Sequence, residues 1–313
     1  MTEKALVLDR VTKKYGDVVA VRDLSLSIER GEMFGLIGPD GAGKTTTIRL
    51  MCGLLKVDDG TVRVLGRDPV KDHARVTQSV GYLSQRFSLY GDLSVDENIA
   101  FFAEIHGLRM NDDAIKARRT RLLELTQLAP FRDRLADQLS GGMKQKLALA
   151  CTLVHEPQVI LLDEPTTGVD PVSRREFWKL LSEFLSQGIT ILMATPYLDE
   201  AERCARVALL HEGRLLALDS PATLRASLKG DVVEVIAGDR DRATQVLEQL
   251  PGVVDVQLFG ERAHVRLDPD SPLKDPERLT AALKQAGIQP ESVRHVPTSL
   301  EDVFIARVTE GVL

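Results

Sequence analysis

Hydrophobic and polar positions alternate along the first part of the chain and predict short β-strands. The alternation runs through "ALVLDRVTKKYG" and "LSLSIERGEMFGLIGPDG", and the second segment leads directly into a glycine-rich turn. The "KTTTIRLMCGLL" that follows has the helical spacing of apolar residues. The N-terminal part is therefore predicted to form a strand, loop and helix unit.

The pattern becomes helical in the middle of the chain and then returns to strands. Segments such as "SVDENIAFFAEIHGL" and "IKARRTRLLELTQL" predict a helical subdomain over about residues 89–157. The later segments "VILLDE" and "ITILMAT" are almost wholly apolar, as strands covered on both faces of a parallel sheet are. The predicted fold class is α/β, with a helical insert between the two α/β parts.

A second, smaller domain is predicted after a change of composition near "LDSPATLRASLKGD". The boundary is placed close to Lys229, which gives domains of residues 1–229 and 230–313. The second domain contains, in order, strand "VVEVIA", helix "RATQVLEQL", strand "DVQLF", strand "AHVRL", helix "ERLTAALKQAG" and the extended segment "SVRHV". That βαββαβ order fits a small ferredoxin-like α+β domain.

Composition and charge narrow the possible partners and compartments. A chain of 313 residues with 43% hydrophobic content is long enough for two domains. With 40 basic and 46 acidic residues, the chain has no basic footprint, and we expect no nucleic-acid partner. No stretch resembles a signal peptide or approaches the roughly 18–20 apolar residues of a membrane span. A role at a membrane would therefore depend on the spans of another chain.

The three cysteines are predicted to be free thiols. Cys52, Cys151 and Cys204 stand far apart and lack CxxC spacing, so the sequence indicates neither a disulfide framework nor a zinc site. We expect them to be reduced, as in the cytosol.

The strongest chemical signal is "GPDGAGKT", which fits the phosphate-loop pattern of glycine, four residues, glycine, lysine and threonine. Glycines let successive backbone N–H groups face a phosphate, and the following helix adds the positive end of its dipole. Lys44 would reach the β and γ phosphates, and Thr45 would hold Mg²⁺. The predicted nucleotide-binding residues of this loop are Gly38, Pro39, Asp40, Gly41, Ala42, Gly43, Lys44, Thr45 and Thr46.

Two further motifs complete the candidate chemistry. The apolar strand "VILLDE" ends in Asp163 and Glu164, of which one carboxylate can bind Mg²⁺ and the other can deprotonate an attacking water. The motif "LSGGM" places Ser140, Gly141 and Gly142 before a long helix, where they form either a second anion-binding helix end or an ordinary capped helix.

These motifs, together with "TTGVD", occur in the order and spacing of an ATP-binding cassette of the ABC transporters, and the resemblance covers about residues 4–225. In that family the "LSGGM" segment is called the signature. Two cassettes pair head to tail, and each ATP lies between the phosphate loop of one subunit and the signature of the other. The resemblance implies that Ser140, Gly141 and Gly142 serve the nucleotide of a second cassette, in a homodimer or a heterodimer.

The same resemblance implies roles for single residues. Tyr15 matches the aromatic that stacks on adenine, although an ordinary strand aromatic is the alternative. Gln85 matches the glutamine that meets Mg²⁺ or water, and Phe87 to Leu93 match the groove for a coupling helix of the transmembrane partner. Asp170 matches the aspartate that communicates across the dimer. Glu164 would be the general base, with Thr45, Gln85 and Asp163 around Mg²⁺.

ATP is favoured over GTP, and an exporter over a soluble cassette. The guanine-reading NKxD motif is absent, because only Asn98 and Asn111 occur and neither is followed by lysine. The "YLDEAE" segment and the C-terminal "TSLEDVFIARV" resemble cassettes of ABC-2-type exporters, which implies transmembrane permease partners and a cytoplasmic, membrane-peripheral location. Soluble cassettes that act on ribosomes or DNA carry paired cassettes, coiled coils or zinc inserts, which this sequence lacks.

Two positions depart from the family pattern. Asp40 stands where asparagine is usual, but backbone groups make the phosphate cradle, so we expect nucleotide still to bind. Pro196 stands where a histidine normally bonds the γ-phosphate, and proline has neither a side-chain donor nor a backbone N–H. We expect ATP to bind well and to be hydrolysed slowly. The alternatives are compensation by a partner residue or water, and a degenerate cassette that pairs with a competent one.

The segment around Pro196 also predicts a helix. Thr195 is expected to cap a helix that begins at Pro196, because proline suits the first helical position. Asp199, Glu200 and Glu202 would favour its early turns through the helix dipole.

Overall fold

The computed structural model describes residues 3–86, 89–109 and 111–312, which divide into a first unit ending at Leu218 and a second beginning at Asp219. The strands of the first unit are β1 (Lys4–Tyr15), β2 (Val18–Glu29), β3 (Met33–Ile37), β4 (Asp59–Val64), β5 (Val80–Leu83), β6 (Val159–Asp163), β7 (Thr190–Thr195), β8 (Arg206–His211) and β9 (Arg214–Asp219). Its helices are α1 (Lys44–Met51), α2 (His73–Thr77), α3 (Val95–Ile105), α4 (Asp113–Leu125), α5 (Gly141–Leu153), α6 (Pro171–Ser186) and α7 (Leu198–Ala201).

The core of this unit is a six-stranded sheet with the order β5-β6-β7-β3-β8-β9. The β5–β6, β6–β7, β7–β3 and β3–β8 pairs are parallel, and every residue of β3, β6 and β7 is buried. The predicted doubly covered parallel sheet is therefore confirmed. A separate antiparallel sheet has the order β2-β1-β4. Because β3, β6 and β7 are parallel neighbours, the segments that follow them leave the same edge of the sheet.

The described chain between β5 and β6 is helical. Ser94 caps α3 in a reciprocal capping box with Glu97. Asn98 is fully buried and donates hydrogen bonds to the backbone carbonyls of Tyr90, Leu93 and Ser94. Its amide therefore orders the start of this helical part.

Two stacked histidines join α3 to the end of α5. The rings of His106 and His155 lie 3.7 Å apart between centroids and are almost parallel. His155 Nε2 donates to the carbonyl of Val80 at 3.2 Å, and its Nδ1 is buried with no hydrogen-bond partner among the described residues. Burial, together with the neighbouring His106, lowers the pKa of His155 to about 4.

We expect the free energy of unfolding to fall as the pH is lowered from about 7 towards about 4. In this window His155 binds a proton in the unfolded state but stays neutral in the folded state. The free energy of unfolding therefore falls by up to about 1.4 kcal/mol per pH unit. Urea unfolding across this range measures the loss, and we expect His155→Gln to reduce it. The exposed His73 supplies the control, because His73→Gln should leave the loss unchanged. An identical pH dependence in His155→Gln and wild type would contradict the assignment.

The second unit has the predicted ferredoxin-like order. It contains helix α8 (Pro221–Ser227), strand β10 (Asp231–Ala237), helix α9 (Arg240–Gln249), strand β11 (Val253–Phe259), strand β12 (Arg262–Leu267), helix α10 (Pro276–Gln285), strand β13 (Pro290–Val296) and helix α11 (Leu300–Val312). The strands form an antiparallel sheet with the order β11-β12-β10-β13. The unit begins before α8, whereas composition places the boundary after it. The reason is local, since Arg307 Nη2 of α11 donates to Ser227 Oγ at the end of α8.

The C-terminal "SLEDVF" segment is fixed by one buried carboxylate. Asp302 Oδ2 accepts hydrogen bonds from the backbone N–H and hydroxyl of Ser299, and Oδ1 lies 2.8 Å from His264 Nδ1. Leu300 and Val303 are buried beside it. The motif that resembles the exporter ending is therefore a helix cap that ties α11 to β12.

Two expectations from composition can be compared with the described residues. No described helix combines the length and the apolar character needed to cross a membrane. The three cysteines are unpaired and buried, and burial raises the pKa of Cys52 and of Cys204 to about 12.

Candidate functional site

A cavity of about 880 Å³ opens at the edge of the sheet where β3 ends. The β1–β2 hairpin and the turn between β8 and β9 form further walls, which include Arg22, Glu212 and Arg214, residues that the sequence patterns did not single out. The structure brings most of the predicted nucleotide residues together in its lining: Tyr15, Asp40, Gly41, Ala42, Gly43, Lys44, Thr45, Thr46, Gln85 and Glu164.

The phosphate loop is shaped by its glycines and closed by its lysine. Gly43 precedes α1 with a left-handed φ of 96°, which a residue with a side chain rarely adopts. Lys44 Nζ donates to the carbonyls of Gly38 and Pro39 at 2.8 and 3.0 Å, and it lies 3.3 Å from Glu164 Oε1. The ammonium and the first turn of α1 thus place positive charge around an anion-sized cradle.

Asp163 has the features of a cation ligand. Thr45 Oγ1 donates to Asp163 Oδ1 at 2.9 Å, while Asp163 Oδ2 is buried and has no hydrogen-bond partner among the described residues. Burial raises the pKa of Asp163, and the nearby Glu164 raises it further. No cluster of three or more His, Cys, Asp and Glu with metal-binding geometry occurs in the described ranges. A single carboxylate with a threonine hydroxyl is nevertheless the kind of protein donor set that suits Mg²⁺, which usually keeps several waters.

Glu164 lies directly after β6, where several neighbours hold it. Its backbone N–H donates to the Ala194 carbonyl at 2.9 Å, and its φ of 52° is left-handed. Gln85 Nε2 donates to Glu164 Oε2 at 3.0 Å, and Lys44 pairs with the other oxygen. The carboxylate is therefore oriented towards the phosphate loop, where a general base would be needed.

Only part of the predicted groove for a transmembrane partner, Phe87 to Leu93, lies within the described residues. Phe87 and Ser88 lie outside the described residues. Leu89 lines a cleft of about 360 Å³ together with Gln85 and Lys144. The glutamine that bonds Glu164 thus also borders a surface cleft.

Tyr15 lies at the rim of the main cavity. Its side chain is half-exposed, and Lys13 Nζ lies 5.8 Å from the ring centroid. A ring that is not packed into the core keeps surface available for a flat ligand, as the adenine interpretation requires.

The signature residues do not line this chain's own cavity. Ser140 caps α5 by accepting from Met143 N at 3.3 Å, and Ser140 and Gly141 are exposed. Gly142 is buried against Ser173 of α6, and the N-cap of that helix is Asp170. Asp170 Oδ1 accepts from the backbone N–H groups of residues 172 and 173, both at 3.0 Å. The signature and the turn that contains Asp170 are thus packed together within one subunit.

This packing predicts that the two neighbouring signature glycines differ in their tolerance of alanine. A Cβ at Gly142 would stand 2.5 Å from Ser173 Cβ, whereas one at Gly141 meets nothing within 4 Å. We expect Gly142→Ala to lower the free energy of unfolding by about 1–3 kcal/mol and Gly141→Ala to be neutral or stabilising. The measurement is urea unfolding, and Ser173→Gly should rescue Gly142→Ala. Equal effects of the two alanine substitutions would contradict the contact.

The helix prediction at Pro196 is wrong by two residues. The helix α7 begins at Leu198, and Pro196 lies outside it, directly after β7. Thr195 Oγ1 accepts from Tyr197 N at 3.0 Å, so the threonine closes a turn around the proline and does not cap the helix. Pro196 follows Thr195 next to the segment of Glu164 but supplies no hydrogen-bond donor there.

The sequence also misses how Glu200 is used. It is 1% exposed, while its neighbour Asp199 is exposed. The sequence predicts both for the early turns of one helix, for the same electrostatic reason. A four-residue helix has no periodicity from which an inward face can be predicted.

Comparison with known proteins agrees with this geometry. The ABC transporter family matches residues 21–167, and the family described as ATP-binding protein DrrA1-3-like, C-terminal domain, matches residues 220–308. The chain is 41% identical over 311 residues to the probable multidrug ABC transporter ATP-binding protein YbhF of Escherichia coli (strain K12), covering 97% of this chain and 52% of YbhF. It therefore spans about half the length of that relative.

Two further similarities cover almost the whole length of the other protein. The chain is 38% identical over 312 residues to the Nod factor export ATP-binding protein I of Paraburkholderia xenovorans, covering 97% of each. Its fold is similar to that of a dimeric ATP-binding cassette, MJ0796, solved with ADP and phosphate, at 26% identity and a TM-score of 0.62 over 69% of this chain and 98% of that chain. By its family matches and relatives, this chain belongs to the ATP-binding proteins of ABC transporters.

Proposed function

We propose that this protein is the ATP-binding subunit of an ABC-2-type exporter. ATP binding would close a dimer of two cassettes, ATP hydrolysis would reopen it, and this cycle would drive export. The observation that carries the proposal is the division of the site. One cavity unites the phosphate loop with Glu164, whereas Ser140 and Gly141 are exposed outside it. A second cassette would supply the missing signature. The names of the relatives, a multidrug transporter protein and a Nod factor export protein, support export as the direction.

Nucleotide binding would rest on groups that are already arranged around the cradle. The phosphate-loop backbone and Lys44 would bind the phosphates, and Tyr15 would stack on the adenine. Thr45, Asp163 and Gln85 would hold Mg²⁺, which neutralises charge on the β and γ phosphates when bound. The partnerless Oδ2 of Asp163 supports this assignment.

Hydrolysis would use Glu164 as the general base. Its carboxylate would take a proton from the attacking water, while the hydrogen bond from Gln85 and the charge of Lys44 keep it oriented. Pro196 can donate nothing to the γ-phosphate, so we propose slow turnover in this chain's own site. Its exposed signature would still complete a competent site on another cassette, which is the role of a regulatory or structural partner.

The partners and location follow from the same proposal. The chain would dock on separate transmembrane permease subunits at the cytoplasmic face of the membrane, without nucleic acid. The permease would select the transported substrate.

The test is co-expression with a candidate polytopic permease, such as one found to be encoded beside this chain. We expect the chain to be recovered with membranes only when that protein is present, and the detergent-solubilised complex to hydrolyse ATP. A matched sample with Lys44→Ala should still dock but should lose ATP binding, because docking does not use the phosphate loop. Recovery with soluble proteins alone would contradict the exporter proposal.

A further inference from the structure

Glu200 is a buried carboxylate that the mechanism above does not use. It lies on α7, and its side chain is 1% exposed. Removing a carboxylate from water is costly unless hydrogen bonds or charges replace the lost hydration. Its neighbours therefore indicate what it does.

Two threonine hydroxyls from different segments satisfy Glu200. Thr166 Oγ1 donates to Oε1 at 2.5 Å, and Thr195 Oγ1 donates to Oε2 at 2.7 Å. Both threonines are 1% exposed. Arg174 Nε lies 3.8 Å from Oε1, and its guanidinium stacks over the ring of Tyr197 at 4.9 Å. One carboxylate thus binds two hydroxyls inside the protein, with a cation close by.

The two threonine donors lie in the segments that carry Glu164 and Pro196. Thr166 lies two residues after Glu164, in a turn closed by the hydrogen bond from Thr167 N to the Glu164 carbonyl at 3.3 Å. Thr195 immediately precedes Pro196. Arg174 lies in the first turn of α6, which Asp170 caps. Glu200 therefore joins the segment of the general base to the strand end where the usual γ-phosphate donor is missing.

We propose that Glu200 is a positioning residue for ATP hydrolysis, which fixes the Glu164 segment against the end of β7 through Thr166 and Thr195. The proposal rests on the proposed ATPase function. A general base must be held to a fraction of an ångström, because small displacements of reacting groups lower rates steeply. Proline at position 196 cannot donate a hydrogen bond. The contact through Glu200 joins the two segments without a donor from that residue.

The test compares Glu200→Gln with wild type in the full chain. Glutamine keeps the size of the side chain, but its NH₂ can only donate, so one threonine hydroxyl must change from donor to acceptor, and the negative charge beside Arg174 is lost. We expect kcat for ATP to fall about tenfold, because a misplaced base affects the chemical step. KM and the ATP dissociation constant should stay within about twofold, since Glu200 does not line the cavity. Glu183→Gln, the same change at an exposed position of α6, should leave all three constants unchanged.

A second pair of variants keeps the test decisive if Glu200→Gln folds poorly. Thr166→Ser retains the hydroxyl and should retain kcat, whereas Thr166→Val removes it and should reproduce the loss. In the double variant of Thr166→Val and Glu200→Gln, the losses should not add, because both changes alter the same contact. Unchanged kcat in Thr166→Val and Glu200→Gln, with wild type hydrolysing ATP in a Glu164-dependent way, would overturn the positioning role alone. A wild type that neither binds nor hydrolyses ATP would overturn the proposed function instead.

Discussion

Replacing Glu164 with glutamine is expected to lower kcat for ATP hydrolysis by about 10²–10⁴-fold, the range that a general base contributes. Glutamine keeps the shape of the side chain and can still accept the hydrogen bond from Gln85, but it cannot take a proton from water. Nucleotide affinity should change little, because the phosphate cradle consists of backbone N–H groups and Lys44. Steady-state phosphate release and the binding of a fluorescent ATP analogue measure the two effects separately.

The matched control for Glu164→Gln lies in the same cavity. Glu212 also lines it, at the turn between β8 and β9, but no contact connects it to Lys44 or Gln85 among the hydrogen bonds and ion pairs found in the described ranges. Glu212→Gln removes an equal charge and should leave kcat within about twofold, since only a base within hydrogen-bond reach of the water contributes to the chemical step. A comparable loss in both variants would mean that general electrostatics, and not proton transfer to Glu164, sets the rate.

Replacing Pro196 with histidine is expected to raise kcat by at least about tenfold, since one contact to a developing charge is worth about 10²–10³-fold. Pro196 directly follows Thr195, and β7 is the parallel neighbour of β6, the strand that leads into Glu164. An imidazole at this position would restore the donor that the family pattern places there. Because Pro196 lies outside α7, its replacement removes no helix start.

The control is Pro196→Ala, which removes the proline ring without adding a side-chain donor. It should leave kcat close to that of wild type, so that a gain with histidine can be attributed to the imidazole. An equal gain with alanine would assign the effect to backbone freedom. No gain with histidine would mean that another group already makes the contact, which contradicts slow turnover caused by Pro196.

Much of the candidate site could be predicted because its chemistry lies in contiguous motifs. The phosphate loop needs only a glycine-bearing turn between a strand and a helix, and both flanking elements have clear periodicity. Asp163 and Glu164 end an apolar strand, so their placement at a sheet edge followed from the pattern. The role of Asp170 as a helix cap was not predicted, although an aspartate followed by proline is typical of a helix start.

Contacts between distant segments could not be predicted in this way. The burial of Gly142 against Ser173 depends on how α5 packs on α6, and two glycines in sequence look equivalent until one of them meets a neighbour. The helix after Pro196 was predicted too early because the cap signals of Thr195 fit a turn as well as a helix. In the first case the contacting residues belong to different helices, and in the second case two local signals compete.

The sequence by itself determined most of the elements, the phosphate loop, the acidic strand end and the presence of a proline without a donor at position 196, because each depends on residue types within a few positions of one another. Only the tertiary structure decided which side chains meet. It pairs Lys44 with Glu164, turns Glu200 inward between Thr166 and Thr195, and keeps Asp199 exposed at the surface near Arg174. The physical reason is that strand order and helix packing bring residues together across more than a hundred positions, a distance over which local periodicity carries no information.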